Sequence, residues 1–154
     1  MTYSFELFCP ISPKRIDENV ARLTAAFVLA ITIVGLSLRS PLLMTGLAVD
    51  FALRTIGFAR FSPVRAAAQW GRDLLSLKPK PTDAAPKRFA AGIGLLFSSF
   101  IAMAFLVDWN VPGLVAGIVL ATCAFLESAL NFCVGCYVYS LLLGRWIPRF
   151  RSEE

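Results

Sequence analysis

The chain has 154 residues, of which 57% are hydrophobic and only 16% charged. Its mean hydropathy is +0.69. Soluble domains carry roughly a quarter charged residues, so a soluble enzyme and a disordered tail are both excluded as first readings. The chain contains no histidine, which removes His-based acid–base catalysis, His–metal sites and any Ser-His-Asp arrangement. The length fits one domain, residues 1–154, in a lipid bilayer.

In chain order, four stretches approach the roughly 20 apolar residues a spanning helix needs. The first is Val20 to Leu38, with Asp17 as the expected N-cap and Arg22 near enough to its start to snorkel. It is read as a span rather than a cleaved leader, because a second apolar run follows almost at once. That second run is Pro41 to Phe58, opened by Ser40 as N-cap and Pro41 at the first helical position. The third is Phe89 to Val107. The fourth runs from Pro112 to Gly144, long enough to tilt or project. Neither Leu23–Leu38 nor Phe89–Val107 carries a charge on any face, unlike the amphipathic helices of soluble bundles. The expected fold is an all-α membrane protein, a four-helix transmembrane bundle with a short interfacial helix in the cytoplasmic loop. That short helix opens at Ser62-Pro63. Val64, Ala67, Ala68, Gly71, Leu74 and Leu75 form its apolar side and Arg65, Gln69 and Arg72 its polar side, with Trp70 near the headgroups. Lys78-Pro79-Lys80-Pro81 reads as an extended connector.

Four spans put both termini and the Arg60–Arg88 connection on one side. Of the 15 Lys and Arg residues, Arg54 lies within a span and Arg39 alone lies opposite. The other thirteen share the first side, which the positive-inside rule makes cytoplasmic. The expected location is therefore the cell inner membrane, with cytoplasmic N- and C-termini and the bilayer as partner. The same placement accounts for the net charge of +5 without nucleic acid, for which the long loop offers no stacking surface. Small residues recur every four positions, at Ala90, Gly94, Ser98 and Ala102 and again at Gly113, Gly117 and Ala121. Such stripes let helix backbones approach. Packing within one chain is expected, and a homo-oligomer is left open.

Few polar groups fall in the apolar segments. Asp50 and Arg54 are four apart on one helix face, and each charge costs about 2.5–3.5 kcal/mol at mid-bilayer on insertion scales unless partnered. Glu127 and Asn131 lie one turn apart on the fourth run. Asp50, Arg54, Glu127 and Asn131 are expected to form one inward polar cluster, in which Glu127 is protonated or Asn131 helps to hold it. It serves either as packing glue or as a proton relay or anion-attracting site.

Cysteines supply the remaining chemistry. Cys133 and Cys136 form a C-x-x-C pair about 13 Å from Arg145 at 1.5 Å per residue, in the cytoplasmic half of the bilayer. Such a pair can exchange thiols, bridge, or share a soft metal. Gly135 inside the pair lowers local helix stability and eases distortion. Arg54 comes out at a similar depth and would lower a thiol pKa. Cys9 lies on the same side and serves as an auxiliary thiol, while Cys123 reads as a small apolar residue. Any metal set is drawn from Cys9, Cys133 and Cys136, and the sequence names no cofactor.

Cys9-Pro10, Arg15 to Glu18, Asp50-Phe51 with Arg54, Ser62-Pro63, Lys87-Arg88-Phe89-Ala90, Gly92, Glu127 and Phe132-Cys133-Val134-Gly135-Cys136 resemble, in this order, the signature of a bacterial membrane family catalogued only as a domain of unknown function. The resemblance implies a small polytopic membrane protein and brings no activity with it. A looser likeness is to the four-helix membrane oxidoreductases that pass electrons from thiols to quinone. Here the pair lies at cytoplasmic depth and there is no second C-x-x-C.

The functional expectation is thiol–disulfide exchange or sulfur transfer at Cys133 and Cys136 with a cytoplasmic thiol protein. Arg54 stabilises negative sulfur and Glu127 accepts or relays a proton. The alternatives are a relay or transporter for a soft metal cation or a sulfur-containing anion, and a structural membrane subunit.

Overall fold

Helix starts follow the capping chemistry of the sequence. In this computed structural model, which describes residues 15–144, Asp17 caps α1 (Glu18–Ser37) by accepting from the Asn19 N–H at 3.0 Å. Ser40 caps α2 (Pro41–Ile56), with proline in its first turn. Ser62 likewise caps α3 (Pro63–Leu74) through the Arg65 N–H at 3.1 Å. Each cap satisfies one of the N–H groups that a helix start leaves unpaired. The chain continues through α4 (Ala84–Leu106), α5 (Asn110–Leu130) and α6 (Val134–Gly144). A three-residue 3₁₀ turn at Ala59–Phe61 lies between α2 and α3.

Among the described residues there are six helices rather than four plus one. Three of these, α1, α4 and α5, are long and apolar enough to cross a membrane. The second expected span stops at Ile56 because Gly57 takes a φ of +102° as its C-cap, a left-handed conformation that glycine adopts without steric cost. At 16 residues, α2 is about 24 Å long, short of the hydrocarbon thickness of about 30 Å. The third begins earlier than expected, at Ala84. The fourth breaks in two: Asn131 turns left-handed, with φ +54°, and ends α5. Asparagine tolerates that conformation better than most residues.

Packing is pairwise around a ring. α2 lies against α4, α4 against α5 and α5 against α1, while α1 and α2 touch each other less; α3 packs under α1, and α6 on α4. Small residues allow the close approaches. A Cβ on Gly94 would come within 2.5 Å of the Phe51 ring, and one on Gly117 would strike Leu36. The small-residue stripes of α4 and α5 thus serve contacts inside the chain. Met44, Ile101, Thr32 and Ser98 are fully buried between the helices, with both hydroxyls turned back onto their own helix carbonyls. Outward faces carry large apolar side chains such as Leu42, Leu96 and Val111, as expected where lipid replaces water.

One end of the bundle gathers the start of α1, the end of α2, the start of α4 and the end of α5. Arg22 ties two of these together by donating from Nε and Nη2 to the Ser128 carbonyl at 3.3 and 3.2 Å. A short antiparallel pair, β1 (Arg15–Asp17) with β2 (Pro81–Asp83), closes this end, with Ile16 opposite Thr82. The expected extended connector leads directly into β2. Asp17 is the hub here: besides Asn19 it accepts from Arg72 Nη1 at 2.8 Å and from the Lys80 N–H at 3.2 Å. Burial on its own raises its pKa, but these hydrogen bonds together hold it below the ordinary carboxyl value. A depressed folded-state pKa stabilises the fold above the unfolded value, about 3.9, and that gain disappears as pH falls through the folded value. Asp17→Asn should therefore lower the unfolding midpoint at neutral pH, and the gap from the parent should close below about pH 4. A gap unchanged between neutral and acid pH would show that the ionised carboxylate contributes nothing.

Candidate functional site

Asp50 is 2% exposed and binds two elements together. Its Oδ1 accepts from Ser62 Oγ at 2.6 Å and from the Val64 N–H at 3.2 Å, so the buried carboxylate anchors the start of α3 to α2. Its Oδ2 lies 2.9 Å from Arg54 Nη2. The i,i+4 pairing expected from sequence is present as a charge contact. Its alignment is not that of a hydrogen bond, and Asp50 Oδ2 and Arg54 Nε and Nη2 are buried without hydrogen-bond partners. The Arg54 guanidinium also stacks on the Phe51 ring, 4.4 Å from its centroid. Asn131 does not join this cluster. Its side-chain amide donates to Glu18 Oε1, because the left-handed turn swings it to the start of α1.

The same turn changes the setting of the cysteines. Instead of lying mid-helix, the C-x-x-C begins one. Cys133 directly precedes α6, its carbonyl accepts from the Tyr137 N–H at 3.0 Å, and its Sγ accepts from the Cys136 N–H at 3.4 Å. Cys133 is thus the N-cap, and its sulfur faces the positive end of a helix. Both cysteines are half-buried free thiols. The helix start and the Cys136 N–H both favour negative charge on Cys133 Sγ, whereas Cys136 lies inside the first turn with its own N–H committed to that sulfur.

Gly135 is also a point of close approach between helices. A Cβ there would come 2.5 Å from Ala90 Cβ and 2.7 Å from its Cα, so glycine is needed for α6 to lie on α4. The Phe89 and Tyr139 rings, with centroids 5.5 Å apart, extend the contact. Gly135→Ala should cost about 1–3 kcal/mol through overpacking, read as a lower unfolding midpoint in neutral detergent. An unchanged midpoint would mean that α6 is not held against α4.

All six helices contribute to a cavity of about 650 Å³, reached by Arg54, Arg65, Lys87, Cys123, Glu127 and Cys133. Glu127 and Lys87 are charged groups that line this cavity together with Cys133. Arg54, expected in that role, shares the cavity but is engaged by Asp50 and Phe51. Cys9 lies outside the described residues. Among those residues no three His, Cys, Asp or Glu side chains are grouped to hold a metal ion, and the set Cys9, Cys133 and Cys136 extends beyond them.

The model of a family described as a domain of unknown function (DUF4395) matches residues 16–143. The chain belongs to this family. No curated protein and no solved structure matches it. The DUF4395 match takes in the Asp50–Arg54 pair, Glu127 and both cysteines of the C-x-x-C, and leaves Cys9 outside. Chemically, this part of the chain combines a dithiol, one sulfur of which accepts an N–H at a helix start, with a carboxyl and an ammonium group that line a cavity together with that sulfur. Lys87 and Arg65 also line this cavity and Ser62 bonds Asp50 beside it. In the sequence Lys87 and Ser62 stand out only as signature residues and Arg65 only as part of the polar side of a short helix, with nothing to place them beside the cysteines or Asp50.

Proposed function

We propose that the protein carries out thiol–disulfide exchange at Cys133 and Cys136, from the cytoplasmic half of the inner membrane. The observation that carries this reading is the Cys136 N–H directed at Cys133 Sγ at the start of α6. A helix N-terminus and an N–H donor favour the thiolate, and the thiolate is the nucleophile. Sidedness is supported by the basic residues gathered at the end where α2 and α5 finish, which makes a cytoplasmic thiol protein the natural partner.

The Cys133 thiolate attacks one sulfur of a partner disulfide; a mixed disulfide forms, and the other partner sulfur leaves as thiolate. Cys136 gives up its proton, with Glu127 as the nearby acceptor. Its sulfur then attacks Cys133, forming the Cys133–Cys136 disulfide and releasing the second partner thiolate. The partner disulfide is reduced by two electrons and the chain's dithiol is oxidised by two. A partner dithiol reverses the sequence. Lys87 lowers the energy of the anionic sulfur.

Oxidised glutathione serves as a test disulfide. Purified protein treated with it should lose about two mass units, reversibly, in the peptide containing Cys133 and Cys136, with Cys123 unchanged. Loss of reactivity on adding stoichiometric soft metal would favour the relay reading. A chain whose Cys133 and Cys136 stay reduced under these conditions would count against exchange.

A further inference from the structure

The cavity has a second chemical character, independent of the thiols. Its depth is apolar, built from Val28, Phe51, Phe97 and Leu120, while Arg54, Arg60, Arg65, Lys87 and Arg88 line it against a single carboxylate, Glu127. Two of those cations are incompletely satisfied: Arg54 Nε and Arg65 Nε are buried without hydrogen-bond partners, and Arg54 Nη2 has only its 2.9 Å charge contact with Asp50 Oδ2. Asp50 neutralises Arg54, but among the described residues no carboxylate pairs with Arg65. Buried donors of this kind are rare in native proteins because each forfeits its solvation without return. A bound anion would satisfy them.

We infer that this cavity binds a single-chain anionic amphiphile, its acidic head on the Arg54 and Arg65 guanidinium groups and its hydrocarbon tail along Val28, Phe97 and Leu120. A small inorganic anion would leave the apolar depth empty. A neutral hydrophobe would leave the guanidinium donors unpaired. The volume, about 650 Å³, lies within the range of roughly 300–1,000 Å³ typical of small-molecule sites and suits one chain with its head rather than a two-chain lipid. Carboxylate and phosphate heads share the required chemistry, and Arg offers either a planar fork. Cys133 and Cys123 line the same cavity, so an occupant would also shield Cys133 from solution reagents.

The test uses the full chain in a neutral maltoside detergent, titrated with dodecyl phosphate, dodecanoate and dodecyltrimethylammonium, and read by native mass spectrometry and by unfolding midpoint. The expected result is saturable binding of one molecule of each anion, with a raised midpoint and no response to the cation. Tighter binding of dodecyl phosphate would mark phosphate-headed lipids as the source, and tighter binding of dodecanoate would mark fatty acids. Arg54→Gln also strips Asp50 of its counter-charge, so Arg65→Gln carries the charge test and should weaken anion binding by about tenfold. Val119→Trp, on the apolar wall and 42% exposed, should weaken it by narrowing the space for the tail. Equal binding of anion and cation, or an Arg65→Gln chain with parental affinity, would overturn the inference. These readouts do not depend on thiol exchange, so either proposal can fail without the other.

Discussion

Cys136→Ser is expected to convert the protein into a trap. With Cys133 retained, its thiolate still attacks a partner disulfide, but no second sulfur is present to release the mixed species. That species should accumulate as a stable, reductant-sensitive adduct. Cys133→Ser should give no adduct and abolish exchange, although Cys136 remains. The asymmetry follows from position. Cys133 precedes α6 and accepts the Cys136 N–H, whereas Cys136 lies inside the first turn, where its own N–H is already committed. Non-reducing electrophoresis or intact mass after exposure to oxidised glutathione separates the two variants. Equal trapping by both would remove the distinction between attacking and resolving sulfur.

Asp50→Asn should produce the largest loss of stability. The amide keeps an oxygen for Ser62 Oγ and the Val64 N–H, but it leaves Arg54, only 15% exposed, without its counter-charge. Removing one member of a buried ion pair costs about 3–5 kcal/mol, mostly because the remaining charge stays desolvated. Ser62→Ala removes one neutral donor to that carboxylate and should cost about 1–3 kcal/mol. Replacing Arg54 by Met in the Asp50→Asn background should recover much of the loss, since an uncharged pair of similar volume avoids the desolvation penalty. Denaturant unfolding in neutral detergent measures all three variants. If Asp50→Asn falls within about 0.5 kcal/mol of the parent, where ordinary surface changes lie, the carboxylate is not a structural anchor.

Local rules made much of this fold legible. Asp17, Ser40-Pro41 and Ser62-Pro63 mark helix starts because a short polar side chain and a fixed proline φ act within one turn, and no distant contact is needed. The apolar lengths of α1 and α4 were readable for the same reason. The break after α5 was not. Apolar residues continue on both sides of Asn131, so hydropathy reads straight through a change in one φ angle. Asparagine's polarity suggested a cluster member, whereas its role is to turn the chain and reach Glu18. The β1–β2 pair spans three residues on each strand and joins segments more than sixty positions apart, beyond the reach of any periodicity.

The site was legible as a list and illegible as an arrangement. C-x-x-C spacing identified the dithiol but implied a mid-helix position, and only the break gives Cys133 its N-cap. Gly135 read as a flexible point because its neighbour Ala90 lies on another helix. Depth alone relates Arg54 to the sulfur in the sequence, and Lys87, which lines the same cavity as Cys133, stands out there only as a signature residue.

The pH dependence of Cys133 alkylation, followed by mass spectrometry with Cys123 as the internal comparison, tests the account at its centre. Cys133 should react faster than Cys123 at neutral pH, with an inflection below the ordinary thiol value of about 8.5. If Cys133 instead reacts no faster than Cys123 and its inflection lies at or above that value, the start of α6 does not activate the thiol, and the exchange reading is wrong.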